Sequence, residues 1–212
     1  MSAYVHYGCG PFAPPSWRNF DVSPTLRMQQ IPVLGGWVRR SKRLPTWAQN
    51  VEYGDIVRGL PVAEASCRGV FCSHVLEHLA LEDLRVALRN TLRCLEPGGT
   101  FRCVLPDLEQ LVKDYLEEGG AEAAPRFMRR THLGWERRPR SLEGRLRSLF
   151  GSAHHLWMWD FPSLAEELQQ VGFVDVRQAD YGDAEDPNFL EVESEDRWHV
   201  AFGVDCRRPV AK

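Results

Sequence analysis

Hydrophobic and polar positions along the chain follow two periods. Short apolar runs closed by glycine, proline or aspartate read as strands, and longer stretches with leucine at every third or fourth position read as helices. The runs predict strands at Ala3 to Tyr7, Trp17 to Val22, Asn50 to Tyr53, Gly69 to Cys72, Thr100 to Leu105, Phe173 to Ala179 and His199 to Cys206. The fourth is short and apolar, as a strand buried on both faces is. Leu81, Leu84, Leu88, Leu92 and Leu95 mark a helix between the fourth and fifth strands, which Pro97-Gly98-Gly99 should end. Ser163 with Glu166 three residues on predicts a capping box. Leu164, Leu168 and Val171 form the stripe of that helix, and Gly172 is its stop. Gly99 and Gly172 are expected at positive φ. The alternation implies an α/β fold around a mostly parallel sheet.

Two segments break the rhythm. Pro24 to Thr46 predicts one helix and a basic loop with Arg39, Arg40, Lys42 and Arg43. Leu108 to Asp160 is longer than an ordinary crossover. It opens as a helix on Leu108, Leu111, Val112 and Tyr115 and then turns arginine-rich. Arg126 to Arg147 holds eight arginines against Glu136 and Glu143, whereas Asp180 to Asp196 holds eight acidic residues and no basic one. The two stretches either pair with each other or leave arginine forks, Arg129 and Arg130 among them, for a phosphate or carboxylate on an acceptor. Trp135, Trp157 and Trp159 are candidates to stack on a sugar or base, or to serve as core.

Composition narrows the picture. The chain has 212 residues, 43% hydrophobic and 26% charged, with a net charge of −3. One domain, residues 1–212, is the default at this length. No global field argues for nucleic acid or a membrane, and no apolar run approaches the roughly 20 residues of a span. Met1 to Gly10 lacks the basic and apolar regions of a signal peptide, so a cytoplasmic protein is expected. None of the six cysteines form a Cys-x-x-Cys pair, which argues against a zinc knuckle or thioredoxin-type site. Cys72, Cys103 and Cys206 sit in predicted strands as small hydrophobes.

Candidate chemistry begins where the first strand meets Gly8-Cys9-Gly10. Glycine permits a sharp turn and close approach of backbone to a ligand. The third glycine of a dinucleotide fingerprint is missing, which counts against a nicotinamide or flavin enzyme. Asp21 closes the second strand, where a carboxylate can accept from two ribose hydroxyls or simply occupy a surface turn.

Val5-His6-Tyr7-Gly8-Cys9-Gly10-Pro11 resembles the first motif of class I S-adenosylmethionine-dependent methyltransferases. Asn19-Phe20-Asp21, Asp55-Ile56-Val57-Arg58-Gly59-Leu60-Pro61, Ser73-His74-Val75-Leu76-Glu77-His78-Leu79 and Leu95-Glu96-Pro97-Gly98-Gly99 resemble the later ones, in order. Leu105-Pro106-Asp107-Leu108 and His155-Leu156-Trp157-Met158-Trp159-Asp160 are similar to the type 11 branch. The resemblance implies a Rossmann-like methyltransferase fold: a seven-stranded, mostly parallel sheet, an antiparallel last strand and a substrate cap inserted at 107–160. It implies S-adenosylmethionine as cofactor, S-adenosylhomocysteine as product, and a site built by Tyr7, Gly8, Cys9, Gly10, Asp21, Asp55, Ile56, Ser73 and His74. In it Gly8 and Gly10 pass the methionine moiety, Asp21 holds the ribose, Asp55 accepts from the adenine amino group, Ile56 packs on the ring, and Ser73 and His74 lie near the transferred methyl. One departure is Pro11 to Ser16, proline-rich where relatives start a glycine-rich helix.

The sulfonium supplies an activated methyl, so the protein mainly orients an in-line attack. Where the acceptor must lose a proton, the base candidates are His74, Asp107, His154 and His155. Arg129, Arg130 and Trp157 are the candidate acceptor contacts. Cys72-Ser73-His74-Val75 stands where amino methylases of nucleobases carry Asn/Asp-Pro-Pro-aromatic, which favours an oxygen on a small molecule or glycan precursor over nucleic acid. Two alternatives stand beside this reading. One is an S-adenosylmethionine-binding regulatory subunit without turnover. The other is a zinc hydrolase, because His74-Val75-Leu76-Glu77-His78 matches H-x-x-E-H. The methyltransferase pattern accounts for those same residues, and no metal site is expected.

Overall fold

The computed structural model describes residues 3–31, 46–134 and 154–210. Its centre is a seven-stranded sheet of β1 (Ala3–Tyr7), β2 (Arg18–Asp21), β3 (Val51–Tyr53), β4 (Cys67–Ser73), β5 (Leu95–Pro106), β6 (Val174–Ala179) and β7 (Ala201–Arg207). The order is β3-β2-β1-β4-β5-β7-β6. Strands β1 to β5 pair in parallel, and β7 runs antiparallel to both β5 and β6. Five helices are described: α1 (Pro24–Gln30), α2 (Leu81–Cys94), α3 (Leu108–Glu118), α4 (Ala123–Arg130) and α5 (Phe161–Val171). This is the Rossmann-like arrangement with an antiparallel strand that the sequence implied.

Several boundaries fall elsewhere than the pattern predicts. α2 ends at Cys94, ahead of the Pro97-Gly98-Gly99 turn, because Leu95 already pairs with Cys67 in the sheet. Gly98, not Gly99, takes positive φ, at +80°. Gly99 is needed for another reason: a Cβ there would lie 2.9 Å from the carbonyl oxygens of both Cys67 and Glu96. Ser163 is not the cap of α5. The Asp160 carboxylate accepts from the Ser163 amide at 2.9 Å and caps the helix, with proline in the first turn. Gly172 does close α5, with φ +111°.

The two faces of the sheet are covered differently. Strand side chains alternate, so Val5, Tyr7, Val70, Cys72, Phe101 and Cys103 point to one face, where they pack against Leu84 and Leu88 of α2 and Leu164 and Leu168 of α5. On the other face Phe71 and Val104 pack with Trp17, Phe189 and Val192. The right-handed rule puts the β1–β2 crossover on this second face, but Gly8 to Trp17 makes turns there instead of a helix. The β6–β7 connection, with short 3-10 turns at Pro187–Glu191 and Glu195–Trp198, supplies the cover. Its anchor is Arg102, fully buried, which pairs with Glu193, with Asp183 at 2.9 Å and with Asp205 at 3.3 Å.

The acidic stretch is therefore held by the sheet. Among the described residues its partners include Arg102, Arg177, Arg207 and Arg68. Arg126 and Arg130 pair with Glu118, and Arg130 also with Asp114, all on α3 and α4. The arginines from 137 to 147, Trp135, Trp37 and the Arg39–Arg43 loop lie outside the described residues.

Candidate functional site

The carboxyl ends of β1, β2 and β4 bring the motif residues together. Gly8 has φ +64°, and a Cβ on it would strike Val75 Cγ2 at 2.3 Å. Only glycine lets the loop after β1 lie against the loop after β4 in this way. The Gly10 amide donates to Asp21 Oδ2 at 3.1 Å, and the Ser23 amide donates to Oδ1 at 2.8 Å. Burial raises the Asp21 carboxyl, against the opposing pull of these amides. Asp55 Oδ1 accepts from the Val57 amide at 3.0 Å, and Ile56 is buried, its carbonyl held by Asn90 at 2.7 Å.

The remaining cofactor candidates divide by where their side chains go. Tyr7 turns into the core and stacks near Phe101, so only its backbone borders the loop. The Cys9 thiol is buried near Leu26 and Trp47, and burial pushes it up to about 12, away from nucleophilic chemistry. Ser73 is buried, and its hydroxyl meets no hydrogen-bond partner among the described residues. It lines a cavity of about 190 Å³ with Gly8, Cys9, Pro11, Ser194 and Arg197.

A second cavity, about 530 Å³, opens beyond His74 and is lined by His74, Glu77, His78, Arg130, His155 and Arg197 among others. His132 and His199 also line it, so five of the chain's seven histidines meet here. The return segment from His154 carries this geometry. The Leu156 amide donates to the Glu77 carbonyl at 2.8 Å, and Leu108 donates to the Trp159 carbonyl at 2.9 Å. The segment is thereby tied to the turn after β4 and to the start of α3.

His74 takes φ +54°, a conformation rare for a side-chain-bearing residue. Its Nε2 lies 2.8 Å from the Arg197 carbonyl, and its Nδ1 lies 3.3 Å from Glu77 Oε1. Burial works against the imidazolium, but the Glu77 carboxylate and the Arg197 carbonyl outweigh it and raise the His74 pKa. Burial lowers His155 to about 4. Of the other base candidates, Asp107 caps α3 by accepting from Glu109 and Gln110, and His154 Nδ1 lies 3.2 Å from the His132 carbonyl. Neither is among the residues lining the second cavity. Arg129 sits on α4 beside Arg130. Trp157 is 44% exposed, 6.1 Å from the buried Trp159.

The pattern reading did not single out His132, Arg197 or His199. They stand in separate segments and no local motif marks them. The one available signal was compositional, histidines recurring in the stretches that follow strands.

Comparison with known proteins bears on the fold and on the middle of the chain. Residues 36–103 match the family model described as a methyltransferase domain, type 11. No curated protein matches the sequence. Among solved structures, the chain is similar to one from the complex of the Haloferax volcanii Trm112 methyltransferase activator with its methyltransferase. That match has a TM-score of 0.50 and 16% identity, and covers 98% of this chain and 83% of that one. It is also similar to the citrinin polyketide synthase CMeT domain, with a TM-score of 0.52 and 13% identity, covering 99% of this chain and 47% of that one. The fold is the Rossmann-like one of methyltransferases, and residues 36–103 are similar to the type 11 methyltransferase domain. Among the described residues no helix is long and apolar enough to cross a membrane.

Proposed function

We propose that the chain is an enzyme that transfers the methyl group of S-adenosylmethionine to an oxygen of a small acceptor held in the histidine-lined cavity. The observation that carries this reading is the meeting of two cavities. One contains Gly8, Cys9 and Ser73, the other contains His74, and Arg197 lines both. A methyl donor in the first and an acceptor in the second would face each other across the Ser73–His74 step, as in-line transfer requires. Asp21, beside the glycine loop, takes the ribose, and Asp55 with Ile56 takes the adenine. The hydroxyl of Ser73, buried without a partner, is available to the methionine end of the cofactor.

In this reading 1–212 is one domain and 107–160 caps the acceptor, supported by Leu111, Arg130, His132 and His155 in the cavity wall. Arg197 on that wall favours an acceptor with an anionic group; Arg130 beside it is already paired with Asp114 and Glu118. His74 and His155 are the base candidates that reach the acceptor.

Calorimetry with S-adenosylhomocysteine tests the cofactor half. Asp21→Ala should cost about 1.5–3 kcal/mol, the range for a hydrogen bond to a charged group. A wild type that does not bind, or a variant that binds equally well, refutes the assignment. A screen of hydroxylated and anionic acceptors for S-adenosylhomocysteine release tests the other half. Tight cofactor binding with no release across the screen would favour a regulatory subunit.

A further inference from the structure

Glu77 is fully buried on the wall of the second cavity, and apart from the His74 imidazole beside Oε1 neither of its carboxylate oxygens meets a partner at hydrogen-bond geometry among the described residues. A buried carboxylate left this way is costly unless a cation or donor faces it. Its neighbours are imidazoles. His74 Nδ1 is 3.3 Å from Oε1 and His155 Nε2 is 3.9 Å from it.

The ring orientations decide what those imidazoles offer. His78 Nδ1 lies 3.1 Å from the His154 carbonyl. A carbonyl only accepts, so the proton is on Nδ1 and the Nε2 lone pair is free. His155 Nδ1 lies 3.3 Å from Met158 Sδ, a weak acceptor; with the proton on that nitrogen, Nε2 presents its lone pair on the side of Glu77. Glu77, His78 and His155 thus bring one potential ligand atom each to within 4.8 Å of one another. Two acceptors facing each other repel, whereas a cation between them is bound by both. An imidazole fixed by a carbonyl on its far nitrogen is the usual outer support of a metal ligand.

We propose that Glu77, His78 and His155 are the protein ligands of a divalent metal site of the zinc class, open on its fourth side to the acceptor cavity. Two nitrogens and one carboxylate oxygen with an open position make a donor set suited to zinc that binds a substrate oxygen. The acceptor's oxygen would complete the coordination and be polarised there; this chemical role rests on the methyl-transfer reading, whereas the site itself does not. The ligand set differs from the H-x-x-E-H pattern. His74 lies before the short turn Leu76–His78 and not on a shared helical face, and His155 arrives from a segment 78 residues further along the chain.

The test uses the full, untagged chain, stripped with a chelator and titrated with Zn²⁺ alone by calorimetry and native mass spectrometry. One ion per chain is expected. Glu77→Gln, His78→Gln and His155→Gln should each weaken binding by at least about 10-fold, whereas His199→Gln, on the same cavity wall, should bind as the wild type does. Circular dichroism reports whether each variant folds. Because Glu77 is buried, Co²⁺ loaded into the wild type and His155→Gln gives a second readout: a visible absorption band expected in the first and weakened in the second. Absence of stoichiometric binding by the wild type overturns the site, as does wild-type affinity in both His78→Gln and His155→Gln. S-adenosylhomocysteine binding is measured on the same metal-free protein. If it is retained while zinc fails to bind, the metal site alone falls. If zinc binds and the cofactor does not, the site stands and the methyl-transfer reading falls.

Discussion

The two faces of the sheet solve one problem by different physics. Under α2 and α5 the cover is non-directional: Leu84, Leu88, Leu164 and Leu168 are fully buried against strand side chains of the same kind. On the opposite face an irregular connection is held by aromatic edges and one buried guanidinium. Trp17 meets Phe189 edge-on at 5.4 Å, and Trp198 lies 5.2 Å from the Arg102 guanidinium. A leucine stripe tolerates small shifts because each contact contributes little. A buried charge cluster keeps its balance only while every partner is in place. The second face is also the one that borders both cavities, since Arg197 belongs to its cover. The face with directional contacts is the face that positions the candidate chemistry.

The sharpest way to break the comparison is Arg102→Ala. It leaves Glu193 buried without its cation and takes from Asp205 one of its two, Arg177 remaining, and about 3–5 kcal/mol of stability should be lost in urea unfolding. A loss under 1 kcal/mol would show that the aromatic contacts and the remaining pairs to Arg68, Arg177 and Arg207 hold the acidic connection without Arg102. Leu88→Ala on the other face should cost roughly 2–5 kcal/mol through lost burial and a cavity. Unlike Arg102→Ala, it should leave zinc and cofactor binding nearly unchanged.

A third experiment uses acid. Burial first, and then the charge of Arg197, lowers His6 to about 3, and His6 lies on the second face beside Phe71. The unfolded chain takes up this proton near pH 6.5 and the folded chain does not. The stability due to neutral His6 is therefore full above pH 6.5 and is lost as pH falls toward 3. The slope approaches about 1.4 kcal/mol per pH unit within that window. Urea midpoints at pH 7.5, 6 and 5 should fall more steeply for the wild type than for His6→Gln; parallel curves would remove His6 from the account. The smallest effect expected is from Asp160→Ala, which removes the α5 cap on the leucine face and should cost about 1 kcal/mol. Ser163→Ala should cost less, since Ser163 sits inside the helix.

What the sequence determined by itself was local. Strand runs, leucine stripes and the glycine stop at Gly172 follow from side-chain periodicity and backbone preference over a few residues, and all reappear in the structure. Choices between neighbours were less legible. Asp160 against Ser163 as cap and Gly98 against Gly99 as the positive-φ residue turn on the direction from which the chain enters the element. Tertiary structure alone decided the rest. Arg102 meets Glu193 across 91 positions and His78 meets His154 across 76. No periodicity encodes such pairs, because the partners share no element. They are brought together by the parallel sheet, which gathers the loops after separate strands at one edge and so turns scattered histidines into one cavity.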